Sequence, residues 1–164
     1  MTGTAYHQLG SIAEERRDFD AAEKWYLKSL AISEKQGNKH LVAGTYHQLG
    51  IVAQKRRDFE AAEKWYLKSL AIEAKQGNEH GAASTHGQLG ILAQLRGDYL
   101  SSAAWLIRCV HGFLHTRDSA GAERNTRNFL IAESAAPAEL RPRLRTMWAD
   151  AGLPPLPEVT QNQT

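Results

Sequence analysis

Cysteine, methionine and proline are scarce in this 164-residue chain, at one, two and five residues. A lone Cys109 has no partner for an internal disulfide, which excludes a disulfide-stapled secreted scaffold and fits a cytoplasmic protein. No apolar run reaches the roughly 18 residues that a bilayer span needs, and none follows Met1-Thr2-Gly3-Thr4 as a secretion signal would. An excess of one charge is missing too: 20 Lys and Arg stand against 18 Asp and Glu, a formal net charge of +2. The two signs are interleaved, so neither nucleic acid nor a membrane surface is an expected partner. Glycine-rich phosphate loops, nucleophile elbows and CxxC pairs are absent. Each Ser, His and Asp is accounted for by a cap, a turn or a repeated position, so neither catalysis nor a cofactor is expected.

What is present is repetition. Residues 16–32 and 56–72 differ only at Asp20 and Glu60, and 28 of 40 positions agree between residues 5–44 and 45–84. Residues 85–124 continue the register without a gap, sharing 12 of 40 positions with the second unit. Gln-Leu-Gly (8–10, 48–50, 88–90), Ala13/Ala53/Ala93, Arg16/Arg56/Arg96, Asp18/Asp58/Asp98 and Trp25/Trp65/Trp105 form the common frame. A fixed period of this length marks a stacked-repeat architecture.

Each unit reads as two helices. Tyr46, Leu49, Gly50, Val52 and Ala53 recur at helical spacing, and so do Phe59, Ala62, Trp65, Tyr66, Ser69, Leu70 and Ile72. Asp58 between the two sets suits an N-cap. Gly37 and Gly77 suit C-terminal stops, and Asn38, Asn78 and Asp118 suit the caps of the helices that follow. Gly50 and Ala62 allow the paired helices to approach closely. One such pair cannot bury its apolar stripe alone, whereas a stack can. The expected fold is therefore all-α, an α-solenoid of antiparallel helix pairs.

The pattern Tyr46-x-x-Leu49-Gly50, Ala53, Asp58-Phe59, Ala62, Tyr66, Ser69-Leu70 resembles the tetratricopeptide repeat. Its 40-residue spacing is similar to the long-period variant found in kinesin light chain, Pins-type scaffolds and bacterial sensor arrays. The resemblance spans roughly residues 2–134. It departs at the turn between the helices, where Arg17 and Arg57 stand in place of the family's Gly. If that turn needs φ > 0, each Arg costs about 1 kcal/mol. Ala13, Ala53 and Ala93 replace a family aromatic, and the three Trp are expected to supply the volume.

The resemblance implies a scaffold that binds a peptide or protein segment in a concave groove lined by first helices. Transferred residue by residue, that surface is His7, Ser11, Glu14 and Glu15, then His47, Ile51, Gln54 and Lys55, then Gly87, Ile91, Gln94 and Leu95, with Arg127 beyond. The groove would run from acidic through mixed and apolar to basic. The family's carboxylate clamp is not expected, because its aligned positions carry His7, Ser11, Gln48, Ile51 and Leu95.

The organisation expected is an array over 1–134 (units of about 5–44, 45–84 and 85–124, plus a fourth first-helix), a capping helix over 135–152 and a disordered tail over 153–164. Ala103, Ala104, Val110, Phe113 and Leu114 suggest that unit three is covered by Arg117–Ser134. The capping helix would begin at Pro137, with Leu140, Leu144, Met147 and Ala151 on its inner face and Arg141, Arg143 and Arg145 mostly solvated. Leu153-Pro-Pro-Leu-Pro reads as a polyproline stretch before a polar Thr160–Thr164. The first helix lacks about a turn and has no cover. That suggests either a fragment of a longer array, such as a bacterial regulator, or a homo-oligomer stacked through its N-terminal end. His111 and His115, four apart near Cys109, could form one edge of a metal site, but no further ligand is placed by the sequence.

Overall fold

Asp or Asn recurs every 20 residues, at 18, 38, 58, 78, 98 and 118, and each opens a helix. The structure is a computed structural model that describes residues 1–157. Its helices are α1 (Gly3–Glu15), α2 (Phe19–Lys35), α3 (Lys39–Lys55), α4 (Phe59–Gln76), α5 (Glu79–Leu95), α6 (Tyr99–His115), α7 (Ser119–Ala135) and α8 (Arg141–Asp150), with no strand among the described residues. Each cap carboxylate or amide oxygen accepts from the backbone N–H three residues on, at 2.8–3.1 Å. The residue before each cap is left-handed: Arg17, Gly37, Arg57, Gly77, Gly97 and Arg117 have φ between 59° and 77°. That conformation lets the cap N–H reach the carbonyl five residues back, as Asp58 reaches Ala53 at 2.9 Å. The turns within and between units are thus one device. The strain expected at Arg17 and Arg57 is present, and Arg117 adds a third instance.

Antiparallel packing then follows from small residues. A Cβ on Gly10 or Gly50 would lie 2.5 Å from the Tyr26 or Tyr66 ring, and one on Gly90 would lie 2.6 Å from Leu106. Ala22, Ala62, Tyr26, Tyr66 and Leu106 are fully buried at these seams. The half-buried Trp25, Trp65 and Trp105 stack on Tyr6, Tyr46 and His86 at 5.4–5.6 Å and join the cores. Successive units cover one another, so Val52 and Leu92 are buried at 1% and 2% exposure, while Ile12, their counterpart on α1, is 46% exposed. α1 touches α3, α3 touches α5 and α5 touches α7, whereas α2, α4 and α6 do not touch one another. The first helices therefore line the inside of the curve.

At the C-terminal end α7 and α8 pack on α6. Ala103, Val110 and Phe113 are buried, as the apolar drift of unit three suggested, although Leu114 stays 42% exposed. Other expectations need correction. Pro137 opens a turn closed by Leu140 N–H, and the helix starts only at Arg141, with Pro142 in its first turn. Leu144 is buried but Met147 and Ala151 only partly so, and the second anchor is Trp148, tilted against Phe129 at 4.6 Å. Arg145 is not mainly solvated: it forms a two-pronged ion pair with Glu133, whose side chain is 6% exposed. A buried carboxylate needs such a partner. Leu153–Pro157 does not leave the body either. Leu153 is buried, Trp148 Nε1 donates to Pro154 O at 2.7 Å, and Arg145 Nη1 donates to Pro157 O at 3.2 Å. Proline carbonyls can serve the buried indole without leaving an N–H of their own unpaired. The rest of the expected tail, Thr160–Thr164 included, lies outside the described residues.

Candidate functional site

On the inner face of α3, His40, Gly44, His47, Ile51 and Lys55 follow one another at three- and four-residue steps, so they form a single stripe. Polar bonds tie this stripe to its neighbours. His7 Nδ1 lies 3.1 Å from Thr45 Oγ1, and His47 Nδ1 lies 3.0 Å from Thr85 Oγ1. Thr45 donates its own proton to Leu41 O at 2.7 Å, so His7 must donate from Nδ1 and presents Nε2 as an acceptor. Burial lowers the pKa of both His7 and His47, against the pull of Glu14, which keeps them neutral at neutral pH.

Two buried tyrosines reach this face from the second helices. Tyr26 OH lies 3.2 Å from Ser11 Oγ and donates to Glu14 Oε2 at 3.1 Å, while Tyr66 OH donates to Gln54 Oε1 at 3.0 Å. Burial raises both phenols above their ordinary range, so they remain donors. The other oxygen of Glu14 takes Lys55 Nζ at 2.7 Å. This pair alters the charge pattern expected from sequence. Glu14 and Lys55 neutralise each other, which leaves Glu15 and Arg127 as exposed charges toward the two ends. The middle is apolar: Ile51 and Ile91 are half-buried, Leu95 is 53% exposed, and Gln94 is half-buried beside them.

On this face Ser11, Glu14 and Lys55 are linked through Tyr26, while His7, His47 and Gln54 are held in separate pairs with Thr45, Thr85 and Tyr66 across the same surface. Glu15, Ile51, Ile91, Gln94, Leu95 and Arg127 carry no side-chain bond on it. Gly87, expected on this surface, is buried, and a Cβ there would meet Asn125 Oδ1 at 3.0 Å and Cys109 Sγ at 3.1 Å. Cys109 is enclosed, and burial pushes its thiol up to about 12, so it is no nucleophile at neutral pH. His115 Nε2 lies 3.1 Å from Glu79 rather than joining His111. Among the described residues no group of three or more His, Cys, Asp or Glu is arranged to hold a metal ion, and no helix is long and apolar enough to cross a membrane.

Sequence reading missed two features. The tyrosine bonds were hidden because Tyr26 and Tyr66 read as core residues. Glu73 was not singled out from the sequence, yet it is 5% exposed and lines a cavity opening onto this face. Its counterparts 40 residues either way, Ser33 and Phe113, were the available signal.

Stacked two-helix units with an inner face of first helices define a helical-repeat scaffold. The model of the tetratricopeptide repeat matches residues 1–75 and 41–110, and the chain belongs to that family. Such repeats serve protein–protein interaction. Among solved structures, the crystal structure of BtubC (BKLC) from P. vanneervenii is similar, with a TM-score of 0.65 and 20% identity over 99% of this chain and 69% of that one. At that identity the likeness establishes the fold. No curated protein matches the chain.

Proposed function

We propose that the inner face of α1, α3, α5 and α7 receives an extended or helical segment of a partner protein, and that the protein acts by binding alone. The observation that carries this reading is the contrast within the face. Side-chain bonds of Tyr26, Tyr66, His7 and His47 tie α1 and α3 to their neighbours, while Ile51, Ile91 and Leu95 present accessible apolar surface beside them on α3 and α5. A bonded, preorganised face beside an apolar patch loses little entropy on binding, and central positions dominate interface energies. His47, Ile51, Gln54, Lys55, Ile91, Gln94 and Leu95 are the contacts expected to matter most. We place the protein in the cytoplasm, a setting its single free thiol suits.

The test is partner capture from the source cell with a Lys55→Gln, Ile91→Asp double variant. Lys55→Glu is avoided, since it would set a second carboxylate against Glu14. The variant is expected to keep its helical spectrum and unfolding midpoint and to lose captured protein by about tenfold or more. Undiminished capture would sink the groove reading.

A further inference from the structure

The junctions between successive units are filled in different ways. At the first, Ser33 and Leu41 occupy the seam; at the second and third the corresponding pairs are Glu73 with Gly81 and Phe113 with Gly121. A Cβ on Gly81 would lie 2.8 Å from Glu73 Oε1, and one on Gly121 would lie 2.8 Å from Phe113 Cδ1. Where the residue on the second helix is large, the one facing it at the start of the next first helix is glycine. Only in the middle junction is the filler a carboxylate.

That carboxylate lacks a full set of partners. Glu73 is 5% exposed, and its Oε2 is buried without a hydrogen bond. Ser69 spends its proton on Ala43 O at 2.8 Å. The Gly81 and Ala82 N–H groups at the start of α5 are bonded to the Asn78 side chain and carbonyl. Burial raises the Glu73 pKa against the pull of Thr85, Ser69 and His40, so the ionised form is disfavoured in the empty protein. Glu73 lines a cavity of about 350 Å³ between α3 and α5 that His47 joins to the groove, and no lysine or arginine lines it. Of its histidines, His7 and His47 are held neutral by burial, and His80 Nε2 lies 3.2 Å from Asp118. The site thus has room, a carboxylate oxygen (Oε2) without a hydrogen bond although Thr85, Ser69 and His40 lie near the group, and no lysine or arginine of its own.

We propose that Glu73 determines specificity in the groove by accepting a lysine or arginine side chain of the bound segment. The aliphatic stem lies along Gly44 and Gly81, and the cationic head supplies the bond that Oε2 lacks. This rests on the groove reading above and adds the chemistry of one position in the partner. A buried, incompletely bonded carboxylate destabilises the empty protein, and an occupying cation removes that penalty through a charge-assisted bond.

The side chain can be tested without knowing the partner. The full chain is titrated with n-butylammonium, n-butylguanidinium and the neutral 1-butanol while backbone amide resonances are followed. At least one cation is expected to give saturating shifts at Gly44, Glu73 and Gly81, and 1-butanol none. Glu73→Gln, which keeps the shape, should weaken the cation by about tenfold and raise the unfolding midpoint. Equal shifts with 1-butanol, unchanged cation affinity in Glu73→Gln, or no saturation by either cation at tens of millimolar would overturn the proposal. Partner capture separates the two readings. Capture lost with Ile91→Asp but unchanged with Glu73→Gln would overturn this inference and leave the groove standing, whereas capture unchanged in both would overturn the groove itself.

Discussion

Arg17, Arg57 and Arg117 hold backbone conformations that glycine adopts without cost, at φ of 59°, 63° and 60°. Nothing in their side chains compensates fully: Arg57 lies 5.8 Å from the Phe59 ring, an exposed contact of little weight. Gly97, at φ 77°, shows that the turn closes equally well without a side chain. Arg57→Gly is therefore expected to stabilise the protein by about 1 kcal/mol, after allowing for the greater freedom of glycine in the unfolded chain. In a domain of this size that corresponds to a rise of about 2–4 °C in the unfolding midpoint, read by thermal denaturation. A fall would mean that Arg57 makes a contact worth more than the strain. The same scale explains Glu14, whose carboxylate is divided between Tyr26 and Lys55 and so is spent on organising the groove rather than on a ligand.

For the helices as elements, spacing and close approach decide the packing, and most of this was legible from sequence. The six capped turns were readable because each depends on one residue's local chemistry, and the helix faces were readable because periodicity reports burial directly. The C-terminal cap was harder. Pro137 suits a turn as well as a first helical turn, and the roles of Trp148, Leu153 and Arg145 depend on contacts that occur once and have no repeat to reveal them. The empty valence of Glu73 arises only when α3, α4 and α5 meet. Helix glycines give a prediction with two signs. Gly50→Ala puts a methyl 2.5 Å from the Tyr66 ring and is expected to cost about 1–3 kcal/mol. Gly44→Ala meets nothing within 4 Å and is expected to gain about 0.5–1 kcal/mol from helix propensity. Urea unfolding of both variants checks the pair; destabilisation by Gly44→Ala would show that the inner stripe of α3 is tighter than described.

Across the whole molecule, the asymmetry between touching first helices and separated second helices creates an inside and an outside. The nearly identical second helices α2 and α4 carry stability, stacking Trp on Tyr beneath a lysine in both units. Between the first two units the differences gather on the first helices, where Glu15 and Lys55 occupy one repeat position; between the second and third they spread over the second helices as well, where Glu73 and Phe113 occupy another. A scaffold built this way can vary what it binds without altering how it folds. The measurement that tests this most directly places a photo-crosslinking phenylalanine derivative at Ile91 on the inner face or at Leu67, 44% exposed on the outer helix α4, and irradiates each in the source cell. The groove account predicts a discrete crosslinked partner from position 91 and none from position 67. A partner joined through position 67, with position 91 silent, would contradict it.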